Sequence, residues 1–81
     1  MKIKSKKTFN WGIIGTGGIA NAFSKDLDLL DNHMVSAVLS RTMRNAQNFS
    51  NNLVNCKAYN NIDLFLEDED ICAVYIATPN T

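Results

Sequence analysis

Apolar positions along the chain follow two rhythms, one suited to strands and one to helices. Between Phe9 and Gly15, the residues Trp11, Ile13 and Ile14 stand directly before a cluster of glycines, which predicts a buried strand ending in a tight turn. The period then changes. Ile19, Ala20, Phe23, Leu27 and Leu30 recur at spacings of three and four, placing them on one face of a helix that Asp31 and Asn32 end. Met34 to Ser40 is again a strand-length run rich in β-branched and apolar residues, followed by a helical pattern through Ala46, Phe49 and Leu53. A short third strand at Lys57 to Tyr59 precedes a brief helix capped by Asn61, with Ile62, Phe65 and Leu66 as its apolar face. The last run, Ala73 to Ala77, is almost wholly apolar and reads as a parallel strand covered on both faces.

Strands alternating with helices imply right-handed βαβ units and a doubly wound, Rossmann-like parallel α/β sheet. Residues 1–81 are thus expected to be the N-terminal part of one dinucleotide-binding domain. About four strands are accounted for, where a complete fold of this type has roughly six. An unpaired fourth strand would be an aggregation-prone edge, so the natural polypeptide is expected to continue.

Composition narrows the choices without deciding between them. Apolar residues make up 46% of the chain and charged residues 20%, the balance of a folded soluble protein. The formal net charge is zero, so no field favours nucleic acid or an anionic membrane. Lys2, Lys4, Lys6 and Lys7 are expected to form a solvated tail, and Glu67 to Asp70 a solvated acidic loop. Cys56 and Cys72 lack neighbours at metal-ligand spacing, and Cys72, beside an apolar run, is expected in the core. No run approaches the ~20 residues of a membrane span, and the start lacks a signal-peptide core; a cytoplasmic location is expected.

The segment that carries chemistry is Gly15-Thr16-Gly17-Gly18-Ile19-Ala20, which matches the G-x-G-x-x-G/A fingerprint of dinucleotide-binding turns. Gly15 suits the turn, Gly17 lets a pyrophosphate approach the main chain, and Ala20 lets helix and strand pack closely. The amides that open the helix then face the phosphates. A P-loop is excluded because no Gly-Lys-Ser/Thr follows, and a G-x-G-x-G methyltransferase turn fits less well because Ile19 stands at its third glycine position.

Roughly twenty residues further on, an NAD site places an acidic residue at the end of the second strand. This chain has Ser40, Arg41 and Thr42 there, with Arg44 nearby. A guanidinium pairs with a 2′-phosphate and two hydroxyls can donate to it, so NADP(H) is predicted over NAD(H), and FAD is disfavoured for the same reason.

Four blocks resemble the glucose-fructose oxidoreductase and inositol dehydrogenase (Gfo/Idh/MocA) type of NAD(P)-dependent oxidoreductases. They are Trp11 to Ala20, the Ser40-Arg41 pair, Tyr59 to Leu66 before the acidic turn, and Val74 to Asn80, in order along nearly the whole chain. A dihydrodiol and sugar dehydrogenase branch is similar too. The resemblance implies that Gly15, Gly17 and Ala20 face the pyrophosphate, Ser40 and Arg41 the adenosine ribose phosphate, and Thr78, Pro79 and Asn80 the nicotinamide side. It also implies a hydride transfer to or from a hydroxyl-bearing carbon of a sugar, polyol or dihydrodiol, in a protein that is usually a homo-oligomer. The family's Glu-Lys-Pro segment and its substrate-binding second domain are not within these residues. His33, the sole histidine, precedes the second strand at the end away from the nucleotide. No catalytic or metal-binding residue is therefore assigned, and turnover by this chain alone is not expected. The alternative is a free-standing module that binds NADP(H) or senses redox state without catalysis.

Overall fold

The computed structural model describes residues 8–77. The lysines of the N-terminal tail and the Thr78, Pro79 and Asn80 of the predicted nicotinamide contact lie outside the described residues.

The elements run β1 (Phe9–Ile14), α1 (Gly18–Leu27), β2 (His33–Leu39), α2 (Met43–Ser50), β3 (Lys57–Tyr59), α3 (Ile62–Leu66) and β4 (Ala73–Ile76). The four strands form one parallel sheet in the order β3-β2-β1-β4. Alternate side chains of the strands fall to opposite faces of the sheet. Trp11, Ile13, Val35, Val38 and Tyr75 join Ala20, Phe23, Leu27, Ala46 and Phe49 in the larger core, so α1 and α2 cover one face. Ala37, Leu39 and Ile14 meet Phe65 on the other, beneath α3.

The alternation slips once. Trp11 pairs with Val35 but Gly12 pairs with Ala37, leaving Ser36 as an extra residue in β2. Such bulges are rare between parallel strands. Here the bulge lets both Val35 and Val38 face the larger core. The Ser36 hydroxyl is buried without a hydrogen-bond partner.

Helix α3 begins at the cap its sequence predicts, and α2 begins at a residue read above only as a phosphate donor. The Thr42 side chain accepts from the Asn45 N–H at 3.2 Å, and the Asn61 side chain accepts from the Leu64 N–H at 3.0 Å. These caps satisfy amides that the first turn leaves without partners.

Several expectations need correction. Helix α1 stops at Leu27, because Asp28 to Leu30 tighten into three-residue turns and Asn32 reverses the chain with φ 66°. Leu30 is consequently 52% exposed, not on the core face. Ile19 also points outward, and of the α3 apolar face only Phe65 is buried, because five residues make little more than one turn. Strand β4 is covered on one face alone: Ala73 and Tyr75 point toward the α1 side, whereas Val74 and Ile76 are 39% and 66% exposed. Helix α3 lies over β1, β2 and β3 and leaves β4 uncovered. Cys72 is exposed, not buried, because it lies just before β4 while Ile71 turns inward.

The acidic loop is also more than a solvated turn. The Asp68 side chain is only 3% exposed, accepts from the Tyr59 hydroxyl at 2.6 Å and the Asp70 N–H at 2.9 Å, and pairs with Lys57 Nζ at 2.9 Å. Burial pushes its carboxyl up, but the Tyr59 hydroxyl, the Lys57 ammonium and the Asp70 amide outweigh that and hold it below the ordinary carboxylate value. The same hydrogen bonds to Asp68 raise Lys57 and Tyr59. The network ties the loop to the outer strand β3.

Candidate functional site

The carboxyl ends of three strands are drawn together by main-chain hydrogen bonds. The Gly15 N–H donates to the Leu39 carbonyl at 2.8 Å, so the turn after β1 lies against the end of β2. The Ala77 N–H donates to the Ile14 carbonyl at 2.8 Å, which brings the end of β4 to the same place. Ligands of open α/β sheets bind at this end, and here the crossover changes direction between β1 and β4.

The turn itself has the backbone that its glycines predict. Gly15 has φ 110°, and Gly17 has φ 154° with ψ −163°, a region essentially closed to side chains. A Cβ added at Gly17 would meet nothing within 4 Å, so the surface above the turn is open. Helix α1 starts at Gly18, and no side chain caps it, in contrast to α2 and α3. Its first amides thus present uncapped donors and positive partial charge toward that open surface, which suits an anion such as a pyrophosphate.

A family model described as an oxidoreductase family with an NAD-binding Rossmann fold matches residues 9–81. The chain belongs to the Gfo/Idh/MocA oxidoreductase family. Among Gfo/Idh/MocA-like relatives, a D-xylose 1-dehydrogenase (NADP(+)) of Hypocrea jecorina is 30% identical, the match covering 91% of this chain and 22% of that protein. A trans-1,2-dihydrobenzene-1,2-diol dehydrogenase of Mus musculus is 36% identical over 84% of this chain and 21% of its own length. The structure resembles that of a 3-ketoreductase from Actinomadura kijaniata, solved with TDP-benzene and NADP, with a TM-score of 0.80 and 26% identity over 90% of this chain and 23% of that one. The chain spans about a fifth of the length of these curated relatives.

Within this Gfo/Idh/MocA domain the predicted residues fall into distinct roles. Thr16 is half-buried, whereas Gly17, Gly18 and Ile19 are exposed around the open surface. Ala20 is fully buried in the core and presents no surface to a ligand, so of its predicted tasks it performs close packing and not direct contact. Ser40 is half-buried, its N–H held by the Tyr59 carbonyl at 3.0 Å, and Arg41 is exposed beside it. Thr42 spends an oxygen lone pair on the Asn45 amide, which leaves its hydroxyl proton available to donate. His33 stands at the opposite end of β2, where its Nδ1 accepts from Trp11 Nε1 at 3.1 Å amid Phe9 and Trp11. Among the described residues no cluster of His, Cys, Asp or Glu could hold a metal ion, and no helix is long and apolar enough to cross a membrane.

One part of the site is absent from the sequence reading. A groove of about 330 Å³ runs from Thr16 and Gly17 between α1 and α2, walled by Asn21, Asn45, Asn48 and Asn52 over Phe49. Its signal is present in the sequence: Asn45, Asn48 and Asn52 recur at helical spacing on one face of α2 and its extension.

Proposed function

We propose that the protein holds NADP(H) across the carboxyl ends of its strands, as the cofactor-binding part of an oxidoreductase. Its substrate is a sugar, polyol or dihydrodiol, and the reaction moves a hydride between the nicotinamide and a hydroxyl-bearing carbon. The observation that carries this reading is the Gly15–Leu39 hydrogen bond, which sets the glycine turn side by side with Ser40, Arg41 and Thr42. An uncapped helix start beside an exposed arginine, with no carboxylate at the end of β2, fits two phosphates and a third on the ribose. In this reading the amides of Gly17, Gly18 and Ile19 receive the pyrophosphate. Arg41 forks onto the 2′-phosphate with Ser40 and Thr42 as hydroxyl donors, and Thr78, Pro79 and Asn80 flank the nicotinamide. NAD(H) is the weaker ligand. The NADP dependence in the name of the xylose dehydrogenase relative, and the NADP in the 3-ketoreductase complex, support the same choice.

When bound, the cofactor supplies the hydride; this chain's residues bind and orient it. The proton-transfer lysine of the Glu-Lys-Pro segment and the substrate pocket of a second domain lie outside these residues, and the whole protein is a cytoplasmic homo-oligomer. Titration calorimetry on Arg41→Ala tests the reading. NADP+ binding should weaken about tenfold or more, the scale of one charged hydrogen bond, with NAD+ binding nearly unchanged. Equal losses for both dinucleotides would remove the 2′-phosphate assignment.

A further inference from the structure

The sole histidine and the sole tryptophan of the chain are bonded to each other at the amino end of the sheet, away from the glycine turn. Phe9 pairs with His33 and Trp11 with Val35, so Trp11 and His33 are diagonal neighbours on the two central strands. The Trp11 Nε1–H donates to His33 Nδ1 at 3.1 Å. Imidazole accepts there only while Nδ1 carries no proton. Once protonated it donates from both nitrogens, and the pair sets one N–H against another. The charged ring has a second partner. The Phe9 ring lies 5.2 Å from it, centroid to centroid, at 38°, within the roughly 6 Å over which an aromatic face attracts a cation. Trp11 itself is fixed, with Phe23 edge-on at 5.1 Å and Tyr75 stacked on Phe23 at 3.9 Å. His33 is half-buried and Phe9 is 37% exposed, so water and protons reach the imidazole.

Among the described residues no fixed charge decides between the two partners. Strand β1 has no ionisable side chain. Lys25 and Asp26 at the end of α1, and Asp28 and Asp31 in the turn before β2, are exposed, and none pairs with His33. The lysines before β1 lie outside the described residues. We propose that His33 and Trp11 form a proton-operated clasp across the first residues of β1 and β2, shut while the imidazole is neutral and open once it is charged, when the ring turns to the Phe9 face. Imidazole is the side chain whose ordinary charge change falls between about pH 5 and 8, the range in which the clasp works. Its hold on the start of β1 is present on the alkaline side and is lost as pH falls. The extra residue at Ser36 separates this end from the Leu39 carbonyl that positions the glycine turn, so opening leaves the ligand-facing end in place.

Nitrogen-15 NMR of the full chain reads the bond directly, because there is one indole N–H to follow. Titrated from about pH 8 to about pH 5, the Trp11 indole proton should move in one reversible step, with the midpoint of the His33 ring protons. Its exchange with solvent, taken relative to a free indole at the same pH, should quicken about fivefold, the factor that one net hydrogen bond carries. The amides of Gly15, Gly17 and Gly18 should not move. Two variants isolate the cause. His33→Asn puts a carboxamide acceptor that does not titrate near the place of Nδ1, and should hold the indole proton at its alkaline position throughout. His33→Phe offers no acceptor and should hold it at the acid position. Circular dichroism checks that each variant is folded, and if neither folds, the titration of the unaltered chain decides, with the glycine amides as its internal reference. An indole proton that stays still over this range, that moves with a midpoint other than that of the His33 ring, or that moves as far in a folded variant overturns the proposal. A step in the glycine-turn amides at the same pH also overturns it, since it would report a change of the whole domain.

Discussion

Gly12 lies in the middle of β1 with no turn to make, and its reason for being glycine is steric. A Cβ built on it would stand 2.7 Å from Phe65 Cζ and 3.1 Å from Ile71 Cδ1. Phe65 is fully buried against Ala37, Leu39 and Tyr59, so the ring cannot swing away without disturbing the smaller core. Overpacking of this kind costs about 1–3 kcal/mol. Alanine regains roughly 0.5–1 kcal/mol that glycine loses in a strand interior. The net loss for Gly12→Ala is then about 1 kcal/mol from the midpoints of the two ranges, and in a domain of this size each kcal/mol lowers Tm by roughly 4–8 °C. Thermal unfolding followed by circular dichroism measures it. The cause is isolated by repeating the substitution in a Phe65→Leu background, where the ring edge is gone and the added methyl should cost far less. A Tm for Gly12→Ala equal to or above that of the unaltered chain would refute the reasoning. An unchanged cost in the Phe65→Leu background would show that Phe65 is not the obstacle.

Two further outcomes follow from the titratable groups. Because the folded-state Asp68 carboxyl lies below its ordinary value, its contribution to stability is complete above the unfolded value near 4 and is lost as pH falls through the folded value. Tyr59→Phe should reduce that acid-side loss and lower stability at neutral pH by about 1 kcal/mol; a denaturant series across pH 2–7 in which the two proteins run parallel would contradict it. The two cysteines should separate under a thiol reagent at pH 8. Cys72 is exposed and reacts first, whereas burial pushes the Cys56 thiol up to about 11 and slows it, a difference that mass spectrometry of timed samples would resolve.

What the sequence makes legible here is local, and what it hides is tertiary. The switch from strand-length apolar runs to spacings of three and four locates the longer elements, and Asn61 is legible as a cap because the amide it satisfies lies three residues away. The glycine turn is equally local: Gly15 and Gly17 take the dihedrals that only glycine accepts cheaply. By contrast, whether Leu30, Ile62 or Val74 is covered depends on how far a neighbouring helix reaches, and apolar character alone does not carry that information. Asp68 looks like any member of an acidic loop until Tyr59 and Lys57, brought over by β3, surround it. The asparagine groove joins residues of two helices, so only the spacing within α2 could have announced it.

The extra residue in β2 has a consequence for how this strand can change length. A slip of one position reverses which way every later side chain points. Ser36 absorbs one such slip, so β2 behaves as two short ladders, His33–Val35 and Ala37–Leu39, coupled at a single joint. Removing Ser36 alone would join the two ladders into one regular strand with Val35 and Val38 still on the α1 and α2 side, whereas removing a residue from within either ladder would turn part of the strand over. The joint also sits between the two ends of the sheet, with the His33–Trp11 pair below it and the ligand-facing end above. A change of length at the lower end would therefore be taken up before it could displace the carbonyl of Leu39 that positions the glycine turn.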